Sequence, residues 1–515
     1  MKRALLLCGC LAALWASACS GGGTTVTPPP PTGPFSNASL QGQYAFSMTG
    51  SEIASSGLAS SNLFTRLGSF TADGKGVITT GAEDINLVTG SNEFNFTGGS
   101  YSVNGDGRGT LSLIDSSGTL TFSITLVSSS NGYIIAMPTD GLSTASGSFI
   151  KQDPSAFLVS GISGNYAFDF SGLDASAVPQ PESVVGQFFA DSGGHFSTGF
   201  ADDNDGATVV NGGNQPITGT YAGDPLIPSG LASFGRGVFN LGGIQGVFYI
   251  VGRNQVKFME TTSGGALAGD AFTQSNIPTT TAGISGGFVY VMGGSGGSGP
   301  LTRGGRFTAT SGALSNILVD NNNAGTLLSL GASAGTYTID SAGSGRGTVT
   351  YNVAGQKNPF MYVFYLISPT QAVVQDQSIG IVADGSLLGQ ASATISDSSL
   401  AGNYAINWSG LTSTNMTSDE EDLVGQTALA GGGLTGTIDL NEFASGNQFT
   451  SVPLTGTFKL SADPTGHNTL TVSLATNPAN NGITFFAYVA NNNTVLFMAT
   501  QSVRLTAGVL TPQTQ

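Results

Sequence analysis

Cysteine is nearly absent from this chain. The 515 residues hold three, Cys8, Cys10 and Cys19, all close to the start. The body therefore has no thiol pair, which excludes a disulfide framework and leaves packing to stabilise it. Charge is scarce too: 9% of residues are charged, 31 acidic against 15 basic, with no basic run beyond the first residues. Such a field repels phosphate backbones, so no nucleic-acid partner is expected. Past residue 14 no apolar run has the length of a membrane-spanning helix, and no stretch shows convincing helical periodicity. The only histidines, His195 and His467, fall at different points of different repeats, which excludes a Ser-His-Asp triad or a two-histidine metal site within one domain.

What is present is repetition. A strand-opening phrase recurs four times: Gly-Gln-Tyr-Ala-Phe from Gly42, Gly-Asn-Tyr-Ala-Phe from Gly164, Gly-Gly-Phe-Val-Tyr from Gly286 and Gly-Asn-Tyr-Ala-Ile from Gly402. The period of about 120 residues is too long for a solenoid turn and suits an autonomous domain. In each opening strand the large side chains stand two apart, as in Tyr44, Phe46 and Met48 or Tyr404, Ile406 and Trp408, which marks one buried face. Asp73-Gly74 and Asp191-Ser192-Gly193 sit between alternating runs and read as hairpin turns. A Gly-x-Tyr block (Tyr101, Tyr221, Tyr337; Phe458 in the fourth copy) leads to Gly-Arg-Gly steps around Arg108, Arg236 and Arg346. Further apolar strands follow. With 39% apolar residues and 77 glycines, the body reads as all-β: four tandem antiparallel domains of about eight strands, each an up-and-down barrel, with a two-sheet sandwich as the alternative. The domains are placed at 35–153, 158–275, 282–393 and 398–511.

The first residues, Met1-Lys2-Arg3, an apolar run from Ala4 to Leu14 and Ala16-Ser17-Ala18-Cys19, resemble a bacterial lipoprotein signal at 1–18. That resemblance implies Cys19 as a lipidated mature N-terminus and, with Ser20 rather than aspartate next to it, placement in the outer membrane. Ordinary secretion with cleavage nearby is the competing reading. Residues 19–34, rich in glycine and threonine and then proline, form a tether able to hold the first domain up to ~45 Å from a membrane. The Gly-x-aromatic opening of each meander is also similar to that of lipocalin-like and avidin-like barrels, without the tryptophans those families use.

Every copy carries Asp-x-Asn at the end of its third strand: Asp84 and Asn86, Asp202 and Asn204, Asp320 and Asn322, Asp439 and Asn441. Oxygens two apart can contribute to a calcium site, which needs six or more. The structural reading has each Asp capping its own turn or accepting a fork from the Gly-Arg-Gly arginine of the same copy, with Arg108, Arg236 and Arg346 as ion-pair candidates and His467 in the arginine's place in the fourth. Gly293 to Gly299 matches nucleophile-elbow and dinucleotide patterns only outside their strand-turn-helix context. Two acidic groups, Asp419 to Asp422 and Asp202, Asp203 and Asp205, offer carboxylates for glycoside hydrolysis; the first reads as a solvated loop. The sequence thus reads as a non-enzymatic, membrane-tethered binding, adhesive or structural array that contacts matrix, polysaccharide or another envelope component on the periplasmic or the external face, with no cofactor and an open oligomeric state. A carrier of apolar molecules or sugars in the barrel interiors is the alternative, and a hydrolase on one divergent copy a third.

Overall fold

A computed structural model describes residues 33–53, 61–224, 234–332, 334–390, 395–412, 420–442, 447–461, 467–475 and 481–514. The leader, Cys19 and nearly all of the tether lie outside them, as does Asp419. The described chain contains no α-helix and forms four closed eight-stranded antiparallel barrels. Closure rather than a two-sheet sandwich follows from one pairing in each copy, which joins what would be the two sheet edges.

In the first barrel the strands are β1 (Gln41–Ile53), β2 (Ser61–Asp73), β3 (Val77–Leu87), β4 (Gly90–Phe96), β5 (Gly98–Val103), β6 (Arg108–Ile114), β7 (Thr119–Ser128), β8 (Asn131–Ala136) and β9 (Ser143–Lys151). Successive strands pair, and β1 closes against β9. The stretches β4 and β5 are one interrupted staff of the barrel: β4 pairs with Gly81–Leu87 and β5 with Val77–Ile78 of β3. In the fourth barrel the same staff is continuous, Asn447–Lys459.

The repeated sequence blocks have local reasons. Asp73 Oδ1 accepts from the backbone N–H of Lys75 and Val77 at 2.7 and 3.0 Å, and Asp191 Oδ1 from Gly193 and His195 at the same distances, so each carboxylate holds its own hairpin turn. The Gly-x-Tyr tyrosines tie the barrel to the segment entering it: Tyr101, Tyr221 and Tyr337 hydroxyls donate to the carbonyls of Leu40, Ile162 and Ile284 at 2.8, 2.8 and 2.7 Å. Tyr44, Tyr166, Phe288 and Tyr404 are core residues in every copy. The first glycine of each Gly-Arg-Gly step has positive φ (86° at Gly107, 69° at Gly235, 78° at Gly345), which turns the chain into the next strand.

Four apolar clusters fill the four barrels. Four further clusters lie outside them, each shared by two copies. Ala45 and Leu67 pack on Val247, Tyr249 and Met259; Ala167 and Val185 on Val363 and Tyr365; Val289 on Tyr488 and Met498; Val424 on Ile135 and Met137. The contacts run first to second, second to third, third to fourth and fourth back to first, so the barrels form a closed ring. The outward-facing positions of the opening strands, Ala45, Ala167, Val289 and Ala405, are fully buried.

Candidate functional site

The Asp-x-Asn pairs meet the arginines across copies. Alternation along β3 sends Ile85 and Leu87 inward to the core and Asp84 and Asn86 outward, so both polar side chains face the neighbouring barrel. Arg236 of the second barrel forks Asp84 of the first, Nη2 to Oδ1 at 2.7 Å and Nε to Oδ2 at 2.8 Å, while the Tyr249 hydroxyl donates to Oδ2 at 3.0 Å. Arg346 of the third barrel forks Asp202 of the second, both contacts 2.7 Å, with Tyr365 donating at 2.8 Å. At the third seam His467 Nε2 meets Asp320 Oδ1 at 2.7 Å, its ring stacked on Phe486, and Tyr488 donates to Oδ2. At the fourth, Arg108 of the first barrel stands 3.6 Å from Asp439 and turns its Nε to Asp106 at 3.0 Å. Thr125 occupies the tyrosine position there, paired with Arg108 as Tyr249 is with Arg236.

The same-copy fork expected from sequence is therefore corrected: each fork goes to the preceding barrel, and the first barrel's arginine goes to the fourth. The geometry of one barrel gives the reason. β3 and β6 run parallel with β5 between them, and Asp84 lies near the end of β3 whereas Arg108 begins β6, which puts them at opposite rims.

The asparagines act as donors. Asn86 Nδ2 donates to the Glu260 and Gly265 carbonyls at 2.8 and 2.9 Å, Asn204 to Asp376 and Ile381 at 2.8 Å each, Asn322 to three carbonyls including Arg504 at 3.0 Å, and Asn441 to Ala136 and Ser143 at 2.8 and 3.0 Å. Among the described residues no group of three or more His, Cys, Asp or Glu is arranged to hold a metal ion. For Asp202, burial raises the carboxyl pKa but the Arg346 fork outweighs it, so the group titrates below the ordinary aspartate range.

Sequence reasoning missed the hydroxyls of Tyr249, Tyr365 and Tyr488, read there as plain apolar strand. It also missed a glutamine that ends each copy. Gln152 Nε2 donates to Phe234 and Ile250 carbonyls of the next barrel, Gln274 to Ser344 and Leu366, and Gln513 to Asp106 and Leu126 of the first. Gln390 stands at the same place and bridges Ala490 through its backbone. The recurrence of glutamine at the end of every copy was the available signal.

The acidic run at 420–422 is not a solvated loop. Glu420, Glu421 and Asp422 begin a strand, and Glu421 and Asp422 are fully buried. Asp422 Oδ2 accepts from Thr144 of the first barrel at 2.6 Å. Burial pushes its pKa up to about 7, and burial together with Asp422 pushes Glu420 well up. The group Asp202, Asp203 and Asp205 is divided by strand alternation: Asp202 faces the third barrel, whereas Asp203 lines a cavity of about 780 Å³ at the mouth of its own barrel with Glu182 and Glu260. Burial, then Asp203 and Asp205, push Glu182 up to about 8; burial, then Asp205 and Asp174, push Asp203 up to about 6. Residues 293–296 extend a strand of the third barrel, and exposed His195 pairs with Asp191 in a turn.

No family model matches the chain, and no curated protein does. Among solved structures it is similar to the vaccine antigen transferrin binding protein B of Haemophilus parasuis Hp5, at 12% identity over 74% of this chain and 82% of that one, with a TM-score of 0.15. It is also similar to intact Ap-TbpB with its N and C lobes, at 11% identity over 74% and 82%, TM-score 0.16. At such TM-scores the chains do not superpose as wholes.

Proposed function

We propose that this chain is an envelope lipoprotein, anchored in the outer membrane through Cys19 and the tether at 20–34, whose body is a rigid, non-enzymatic platform for polysaccharide or another envelope component. The observation that supports a platform is the set of four seams. Buried carboxylates engaged across copies fix the barrels relative to one another, so four related surfaces keep constant spacing and act together on a multivalent partner. The tether enters where the ring closes: Phe35 N–H bonds Gly105 O at 3.2 Å, close to Gln513.

Two measurements test the reading. Radiolabelled palmitate is expected in the full chain and absent from Cys19→Ala, which also leaves the membrane fraction; a soluble, unlabelled wild-type chain contradicts the anchor. Sedimentation with cell-wall polysaccharide of the host is expected for the full chain and weakened by Asp84→Ala with Asp202→Ala, which loosen two seams. Equal sedimentation of both proteins contradicts the platform.

A carrier is the second reading, favoured by the cavity at the mouth of the second barrel.

A further inference from the structure

Three barrels place carboxylates at an inner or rim position and answer them with an arginine of the same copy. In the first, Arg66 pairs with Glu83; in the third, Arg303 with Asp376; in the fourth, Arg504 with Glu421. The second barrel keeps the acids and lacks the arginines. Strand register aligns its Glu260 with Asp376 and its Glu182 with Glu421. The same register puts Val184 where the first and third barrels have Arg66 and Arg303, and Gly265 where the fourth has Arg504.

The consequence is an uncompensated acidic mouth. Glu260 is 5% exposed; its carboxylate accepts from Thr262 and from the Leu267 N–H, but its Oε2 has no hydrogen-bond partner, and Asp203 Oδ1 has none either. Both residues line the 780 Å³ cavity with Glu182, and no lysine, arginine or histidine lines it. A volume of this size is typical of small-molecule pockets, and barrel mouths are a common place for them. Phe168, Val184, Ile217 and Leu267 supply an apolar wall. Burying a carboxylate without a counter-charge is costly, and the sibling barrels show what relieves it: a cation. The carboxylates are not grouped to hold a metal ion. An organic cation meets both halves of the lining.

We infer that the mouth of the second barrel binds a small organic amine, with its ammonium group beside Glu260 and Asp203 and its apolar body against Phe168, Val184 and Ile217. The ammonium takes the place that an arginine of the chain itself takes in the sibling barrels. The inference is independent of the envelope reading, because it concerns a pocket lined by residues of the second barrel alone.

The test is calorimetric titration of the purified full-length chain with three molecules that share an indole and differ in charge: tryptamine, the neutral tryptophol and the anionic indole-3-propionate, with n-hexylammonium as a second amine. Tryptamine is expected to bind once per chain, at least tenfold more tightly than tryptophol, with no binding of the anion. Val184→Arg, which rebuilds the arrangement of the third barrel, is expected to weaken tryptamine at least tenfold and to raise the melting temperature. Glu260→Gln is expected to weaken tryptamine without loss of fold, and it decides the matter if the arginine variant does not fold. The inference is overturned if neither amine binds, if tryptophol binds as tightly as tryptamine, or if folded Glu260→Gln binds tryptamine like the parent.

Discussion

Arg236 shows how much one side chain does at a seam. Its guanidinium engages Asp84 of the first barrel and Asp224 of its own, both from a buried position, and contacts Glu93 as well. Removing it leaves buried carboxylates without a cation. Arg236→Met is therefore expected to lower unfolding free energy by about 3–5 kcal/mol in denaturant titration, and Asp84→Leu in the same chain to restore part of the loss. Arg108→Met should cost clearly less, because its Asp439 contact is 3.6 Å and no tyrosine supports it. Equal losses at the two sites would mean that the forks do not set seam strength. The titrating seam carboxylates act in opposite directions. Asp202, with its pKa lowered by Arg346, contributes stability at neutral pH that is lost as pH falls through its folded value. Asp422 and Asp169 are each pushed up to about 7, by burial first; Asp384 of the third barrel, which meets Asp169, Ser171 and Ser183 of the second across their seam, is pushed well up by burial and Asp169. Each binds a proton in the folded state that the unfolded chain has released above about pH 4, so the contribution of Asp422 and Asp169 is lost as pH rises through about 7 and that of Asp384 as pH rises through its own raised value. Melting temperatures measured between pH 5 and 9 are expected to fall toward the alkaline end, and less so in Asp422→Asn.

The strand pattern was the most legible part of the sequence. Period-two spacing at Tyr44, Phe46 and Met48 and its copies gave the inner faces, and Asp-Gly turns gave the hairpins, because both are local and depend on alternation and φ alone. Closure into barrels was legible as the cheapest way to remove two sheet edges. Partner choice was not legible, because Asp84 and Arg236 lie far apart in sequence and the nearer Arg108 sits at the opposite rim of the same barrel. The burial of the outward alanines was not legible for a related reason: Ala45, Ala167 and Ala405 are small enough to be polar-face neighbours or close seam contacts, and sequence does not distinguish the two. The tyrosine ties are testable one element at a time. Tyr221→Phe removes a buried hydroxyl bond to Ile162 O and is expected to cost about 1 kcal/mol, read by denaturant midpoint. The fourth barrel has Phe458 at this point and manages without the bond.

Across the whole molecule, the ring is continuous except where the chain itself starts and stops. Gln513 and the Thr514 N–H bond to the first barrel as Gln152 and the Asp153 N–H bond to the second, while Phe35 lies against Gly107 as Phe157 lies against Gly235. The fourth seam is thus a linker cut in two. A circular permutant that joins 514 to 35 and opens between Ser275 and Pro278 is expected to fold with the same circular dichroism and a melting temperature within a few degrees, since the broken linker is of the same kind. The fourth seam also has the weakest fork and no covalent crossing, so hydrogen exchange should be faster at Ile135 and Val424 than at Tyr249 and Leu67. The closed ring requires that the first and fourth barrels touch within one chain. Cysteines placed at Ser146 and Asn407, whose side chains lie 2.9 Å apart across that seam, test it directly in a body otherwise free of cysteine. With a short bifunctional thiol reagent, a closed ring predicts a cross-linked monomer of raised gel mobility at every protein concentration, whereas no link, or links only between chains, would contradict it.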